Sequence, residues 1–429
     1  MFNTFISTAS HTLSRATSLG AWFLFFVVIY LILLVKVVTL GTFTFNLFFG
    51  FYSTLVTVYI LSRFFLAYFH KPIPANTGYQ PTVTFIVPSK NEERNIAHTI
   101  RCFSRVNYPK EKIEVIAVND GSTDNTLGEM LRIKREISKI LPVRIVNWQK
   151  NRGKRAGMAE GIRLAKSEIV IFVDSDSFVD KNCVTHLVKY FVNPEVGAVS
   201  GHSNVYNRDI NLLTRMQDVR YYISFKIYKG AESVFGNVMC CPGSCSAYKK
   251  EYLLEFLDDW LNQKFLGSPC TFGDDRSLTN HIVKKYKAVY SPEALAWTVV
   301  PENFSKYLRQ QQRWKKSWLR ETFIAATFMW KKNPLAAISF YSYLFIALLS
   351  PLVFVRAVFW YPLTTHQWPV IYLAGLFLML LLHGFYYRAN AGGKGWLLAI
   401  VDFWFTAIIL MWQLPWALLT IRDSRWGTR

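Results

Sequence analysis

Glu168-Ile169-Val170-Ile171-Phe172-Val173-Asp174-Ser175-Asp176 decides how the middle of this chain folds. An unbroken apolar run stops on two carboxylates. A short run of this kind reads as a strand buried on both faces, as in a parallel sheet. In such sheets the ligand sits at the carboxyl ends of the strands. Two carboxylates two residues apart can face one divalent cation there, if the chain turns. Asp-x-Asp in isolation reads by default as a solvated loop; the strand in front of it reverses that preference in favour of the cation.

Working upstream, residues 82–88, 113–118 and 143–146 give three more short apolar strands. Helical patterns over residues 95–103 and 126–137 alternate with them, which predicts a mainly parallel α/β sheet. Ser89 to Glu93 follow the first strand, making Ser89 and Glu92 candidate substrate contacts. Asp120 ends the second strand and leads into Gly121-Ser122-Thr123-Asp124. Gly121 permits a tight turn that brings the backbone close to a ligand, and Asp124 suits the cap of the next helix. Asn151-Arg152-Gly153-Lys154-Arg155-Ala156-Gly157 is a basic loop opening a helix. Cations and a helix amino end both suit a diphosphate, with Lys154 as the candidate contact. A solvated basic loop is the alternative.

Downstream, Gly273-Asp274-Asp275-Arg276 precedes a helical stretch over residues 277–285. A carboxylate beside a like charge can have the tuned pKa of a general base. Asp274 and Asp275 are the candidates, with Arg276 placed to hold one of them; capping of the helix by the same acids is compatible. Gln310-Gln311-Gln312-Arg313-Trp314 puts Gln310, Arg313 and Trp314 on one helix face by three- and four-residue spacing. An indole can carry a sugar ring, and a guanidinium can reach a diphosphate. The six cysteines, Cys102, Cys183, Cys240, Cys241, Cys245 and Cys270, lack zinc-site spacing. Cys241 and Cys245 either line a channel or are small buried residues.

The ends of the chain are of another kind. With 52% hydrophobic and 16% aromatic residues, bilayer contact is expected. Residues 21–39 and 43–69 form a helical hairpin whose basic flanks place both its ends in the cytoplasm. Residues 1–20 carry no signal-peptide cleavage site. Residues 72–79 form a linker. Residues 303–332 read as interfacial helices rich in Lys, Arg and Trp. Residues 334–361, 369–387 and 396–421 give three more apolar segments. Five spans would leave the Arg-rich residues 422–429 outside, against their charge, so one segment is expected to be re-entrant or interfacial, near Pro351 or Pro415. The net charge of +21 fits positive-inside topology and anionic headgroups, or a path for anionic substrates. No nucleic-acid-reading module is visible.

Taken together, Asp120-Gly121-Ser122, Asp174-x-Asp176, Gly273-Asp274-Asp275-Arg276 and Gln310-x-x-Arg313-Trp314 resemble the processive, inverting, membrane-embedded glycosyltransferases of family 2, which include the cellulose, chitin and hyaluronan synthases. The resemblance covers about residues 80–320. Within that family the chain is most similar to the hyaluronan synthases. The supporting runs are Asn262-Gln263-Lys264-Phe265-Leu266-Gly267, Phe272 to Asn280, Gln310 to Ser317, and Trp426-Gly427-Thr428-Arg429. Chitin-oligosaccharide synthases usually carry Glu where this chain has Asp274.

The resemblance implies an α/β GT-A-like domain with a mainly parallel sheet, inserted between transmembrane helices and accompanied by interfacial amphipathic helices. It implies a hairpin over residues 1–71, a cytosolic transferase domain over 72–302, interfacial helices over 303–333 and membrane or re-entrant helices over 334–429. Asp275 would be the base. Asp176 would hold Mg²⁺ or Mn²⁺ with Asp174 assisting, and Asp120 would contact uridine. Lys154, Arg313 and Trp314 would meet the diphosphate and sugar. Cys241-Pro242-Gly243-Ser244-Cys245 resembles the loop bordering the acceptor, although the family's usual order there is Gly-Pro. The implied reaction joins glucuronate and N-acetylglucosamine from UDP donors into a polysaccharide exported through the plasma membrane, in contact with lipid. A polymer of N-acetylglucosamine alone is the alternative.

Overall fold

Every position of β1 (Val83–Ser89) is buried, so the strand is covered on both faces rather than alternating between core and solvent. In the computed structural model, which describes residues 2–39, 47–74, 78–392 and 395–425, β1 lies inside an eight-stranded sheet. The other strands are β2 (Ile113–Asp120), β3 (Val143–Trp148), β4 (Ile169–Phe172), β5 (Ser177–Val179), β6 (Val196–Val205), β7 (Ser246–Lys249) and β10 (Lys287–Thr298). A two-stranded ribbon pairs β8 (Lys264–Phe265) with β9 (Ser268–Pro269). The sheet order is β3-β2-β1-β4-β7-β6-β10-β5. Strands β3, β2, β1 and β4 are parallel neighbours. Strand β7 runs antiparallel between β4 and β6, and β5 runs antiparallel to β10.

The four upstream strands match the expectation from their apolar runs. The sheet is nevertheless larger than they suggested, because β5, β6, β7 and β10 complete it. Helices cover it: Ile96–Ser104 and Thr126–Ile137 bury Ile100, Phe103, Met130 and Ile133 against β1 and β2. Phe85 and Phe103 stack with ring centroids 4.1 Å apart. Full burial of each such side chain contributes about 1.5–3 kcal/mol.

Two compact units divide the chain. The catalytic unit comprises residues 63–207, 224–338 and 417–429, and the apolar unit residues 1–62, 208–223 and 339–416. This division assigns helix Leu212–Ile223, within the expected transferase domain, to the apolar unit. In that unit Trp22 packs edge-on against Tyr386 and Tyr52 donates to the Ile346 carbonyl at 3.2 Å. Arg220 Nε lies 3.5 Å from Asp402 Oδ2. Phe23, Val38, Leu352 and Val370 point outward instead of into a core, the arrangement of a chain whose solvent is lipid.

Among the described residues, four helices are long and apolar enough to cross a bilayer: Thr17–Thr39, Leu47–Phe69, Pro334–Thr365 and Val370–Ala391. The fifth apolar segment is broken. Helix Trp396–Phe405 continues as a π-helical stretch over Thr406–Leu410, and a turn at residues 411–412 separates it from the short helix Gln413–Leu419. Pro351 sits inside its helix without ending it. Residues 417–425 belong to the catalytic unit, where Thr271 donates to the Ser424 carbonyl and Lys316 Nζ lies 3.1 Å from Asp423. Trp426 to Arg429, residues 40–46 between the first two apolar runs, and residues 75–77 of the linker lie outside the described residues.

Candidate active site

Strand ends gather the chemistry. Helix Lys154–Leu164 packs so closely on β1 that a Cβ at Gly161 would meet the Ile86 side chain at 2.4 Å. That close approach sets Lys154, the first residue of the helix, at the carboxyl edge of the sheet. Asp120, at the end of β2, fastens the loop before the helix. Its two carboxylate oxygens accept from the amides of Arg152 at 2.6 Å and Gly153 at 3.0 Å. Gly121, with φ of +63°, leaves room for that loop, since a Cβ would lie 2.5 Å from the Asn151 nitrogen.

Lys154 joins two carboxylates from distant parts of the sequence. Its Nζ is 2.5 Å from Asp174 Oδ1, just after β4, and 3.8 Å from Asp275 Oδ1. Gly243 closes the third side. Its carbonyl accepts from the Asp174 amide at 2.7 Å, and its own amide donates to Asp275 Oδ2 at 2.9 Å. A Cβ at Gly243 would meet Asp174 Oδ1 at 2.7 Å and Lys154 Nζ at 2.9 Å, so a larger residue would push the carboxylate and ammonium out of this arrangement. Burial raises the Asp275 carboxyl above its ordinary value, against the pull of Lys154 and with a further push from Asp174. For Lys154, burial acts downward, but Asp174 and Asp275 outweigh it and hold the ammonium above its usual range.

Asp275 belongs to the first turn of helix Asp274–Lys285, which starts three residues earlier than its sequence pattern indicated. Gly273 caps that helix in the left-handed region, with φ of +82°. Its neighbour Asp274 is buried and accepts from Arg155 Nε at 2.7 Å. Arg155 also donates to the Trp260 carbonyl at 2.8 Å.

Residues 84–257 match the family model for glycosyl transferase family 2. A hyaluronan synthase of Streptococcus pyogenes is 32% identical over 292 residues, covering 67% of this chain and 69% of the relative. The chain belongs to glycosyl transferase family 2. An N-acetylglucosaminyltransferase of Azorhizobium caulinodans is 35% identical over 355 residues, covering 81% of this transferase and 87% of the relative. A solved mannosyltransferase from Pyrobaculum calidifontis, in complex with GDP-Man and Mn²⁺, shares the fold with a TM-score of 0.55 at 20% identity. The alignment covers 86% of this chain and 96% of that one. The transferase is thus a membrane-associated enzyme with a GT-A-like domain.

Its candidate residues fall into three groups. Asp120, Lys154, Asp174 and Asp275 meet around the strand ends as described. Ser89 ends β1, buried, with its hydroxyl 3.4 Å from the Val87 carbonyl. Glu92 receives the Asn95 side-chain amide at 3.2 Å. Gln310 and Arg313 are half-buried on helix Phe304–Ala326, while Trp314 is exposed. That helix is not purely interfacial, because Tyr307, Leu319, Arg320 and Glu321 are buried in the catalytic unit.

Two expectations need correction. Cys241 and Cys245 are fully buried, and Cys245 Sγ lies 3.2 Å from Cys183 Sγ, which fits the small-buried-residue alternative and not a channel lining. It is the backbone of the intervening Gly243 that meets Asp174 and Asp275. The acid expected to be catalytic alongside Asp275, Asp274, is committed to a buried ion pair, and its partner is Arg155 rather than Arg276. Sequence reading passed over Arg155, Gly243, Gln263 and Glu321. Gln263 lies in a run already singled out, and Glu321 follows Trp314 by seven residues, two turns along the same face.

As for a cation, Asp174 and Asp176 follow β4, and Ser177 Oγ lies 3.4 Å from Asp176 Oδ1. Among the described residues no three His, Cys, Asp or Glu form a cage. Mg²⁺ and Mn²⁺ commonly take one or two carboxylates and complete their shell with water and substrate phosphate. Two carboxylates at a strand end fit that mode.

Proposed function

We propose that this enzyme polymerises UDP-N-acetylglucosamine and UDP-glucuronate into hyaluronan, with inversion, and passes the chain across the plasma membrane from a cytosolic catalytic unit. The observation carrying the reading is Lys154, which joins the strand-end acid Asp174 to the candidate base Asp275 in one site. Similarity to a hyaluronan synthase supports the choice of product.

In this reading the donor diphosphate lies along the Asp120–Lys154 edge. Lys154 neutralises part of its charge, and Arg313 and Trp314 meet the diphosphate and sugar. Asp176, with Asp174, would hold Mg²⁺ or Mn²⁺, which when bound supplies charge neutralisation of the departing diphosphate. Gly243 occupies Asp275 Oδ2, which leaves Oδ1 to take the acceptor hydroxyl proton. The acceptor oxygen forms a bond to the anomeric carbon, the bond from that carbon to the diphosphate oxygen breaks, and UDP leaves with the electron pair. Replacing the Asp275 proton acceptor removes the driving group for this step.

Four candidate spans, an even number, and the contacts of Lys316 and Thr271 with Asp423 and Ser424 support a common side for the catalytic unit and residues 417–425. Basic flanks support the cytosol as that side.

A second reading is a polymer of N-acetylglucosamine alone, favoured by the N-acetylglucosaminyltransferase similarity over most of the chain. Incorporation of radiolabelled sugar by the purified enzyme, with donors supplied singly and together and Mg²⁺ or Mn²⁺ present, separates the two. Polymer that needs both donors and is digested by hyaluronidase is the expected result. Polymer from UDP-N-acetylglucosamine alone would establish the second reading. Chelation with EDTA is expected to stop incorporation, and added Mn²⁺ to restore it.

A further inference from the structure

Behind the candidate base lies a fully buried carboxylate, Glu321, which the proposed mechanism does not use. It sits on helix Phe304–Ala326, two turns beyond Trp314. One oxygen accepts from Gln263 Nε2 at 3.0 Å and the other from Asn280 Nδ2 at 3.0 Å. Asn280 also donates to the Glu321 carbonyl at 2.8 Å. Gln263 continues the chain of contacts, because its side-chain oxygen receives Ser277 Oγ, and Arg155 at 3.4 Å. Arg155 in turn holds Asp274, the residue next to Asp275. Two more contacts tie the same pair of segments. Arg320 donates to the Phe272 carbonyl at 2.7 Å, and Ser317 stands directly against Gly273.

We propose that Glu321 is a positioning residue, which fixes the turn Gly273–Asp275 and thereby aims the Asp275 carboxylate. The inference rests on Asp275 being the base. Its physical basis is the acceptor count. An ionised carboxylate accepts from both amides at once, whereas a glutamine has only one accepting oxygen. One buried amide would then face another donor, at a cost of a lost buried hydrogen bond. Burial raises the Glu321 carboxyl, while Arg155, Asn280, Arg320 and Gln263 pull it down. Arg155 and Arg320 thus offset the charges of Asp274 and Glu321 in a cluster with two charges of each sign.

The test is steady-state UDP release by detergent-purified Glu321→Gln, with Asn280→Ala attacking the same link from the other helix. A reacting group displaced by about 1 Å can cost about 10²-fold in rate. We expect kcat to fall by about 10- to 100-fold in both variants. The donor KM and UDP affinity should stay within about twofold of the parent. A residue serving stability alone would lower Tm and leave kcat per folded molecule unchanged, which would overturn the proposal. The deciding measurement adds Glu321→Gln to Asp275→Asn. If Glu321 works through Asp275, the double variant is no slower than Asp275→Asn alone. A further multiplicative loss places its action elsewhere and overturns the proposal. Full activity of Asp275→Asn by itself is a different failure, of the catalytic reading and not of the Glu321 contacts.

Discussion

Asp275 stands between an amide that it accepts from and a cation that it shares, and each has a measurable consequence. Replacing it with Asn keeps the Gly243 hydrogen bond and removes the proton acceptor. Turnover should fall by roughly 10²–10⁴-fold while UDP affinity is retained, as read by kinetics and calorimetry. The pH profile has a definite sign. In its proposed role Asp275 works as the carboxylate, so kcat should be lost as pH falls through its pKa. Burial raises that pKa and Lys154 lowers it, so the acid limb of the parent lies above the ordinary carboxylate range. Lys154→Met takes away the lowering charge, and the limb should move to higher pH in a plot of log kcat against pH. An unmoved limb would mean that Lys154 and Asp275 do not interact electrically. Sequence alone identified both residues, but not the company they keep. Arg155 meets Asp274 across 119 positions and Gln263 meets Glu321 across 58. No local spacing encodes such pairs.

Elements were legible in proportion to how apolar and continuous they are. Strands β1, β2 and β4 are built on the hydrophobic runs Phe85–Val87, Val115–Val118 and Ile169–Phe172, which need little context. Strand β10 carries Lys287, Pro292 and Glu293, and its register with β6 shifts between Tyr290 and Leu295. Strand β7 has four residues. These form because a partner is already in place, and a single sequence does not display the partner. Helix Asp274–Lys285 was found, but its first turn was missed, since that turn is set by the left-handed Gly273. Here two glycines of equal backbone strain make a controlled comparison. Gly267 and Gly273 both have φ of +82°, yet a Cβ at Gly267 meets nothing within 4 Å, whereas at Gly273 it would lie 1.8 Å from Ser317 Oγ. Gly267→Ala should cost about 1 kcal/mol in thermal unfolding, with activity retained. Gly273→Ala should lose more stability and most activity, because Ser317 or the catalytic turn must shift. Equal behaviour of the two would show that the crowding at Gly273 is absorbed without moving Asp275.

At the scale of the molecule, hydrophobicity revealed where the bilayer lies but not how often it is crossed. Residues 396–421 have the composition of a span. The π-helical stretch Thr406–Leu410 and the turn at residues 411–412 interrupt its regular helix in a way that average hydropathy does not report. The proposed four crossings, one for each candidate span among the described residues, predict a clear labelling pattern. An epitope inserted between Thr365 and Trp368, in the connection after the third span, should be reached by antibody on intact cells. One placed after Arg425 should be reached only after permeabilisation. Labelling of both on intact cells would restore a fifth crossing. Helix Leu212–Ile223 has a consequence for biosynthesis. It leaves the ribosome directly after β6, yet its packing partners, Val370–Ala391 and Trp396–Phe405, are translated nearly last. Strands β7 and β10, which flank β6, also emerge after it. A nascent chain halted after residue 338 would therefore hold every strand of the sheet while this helix still lacked its neighbours. The packing of this helix is therefore finished only late in translation, after every strand of the sheet has emerged.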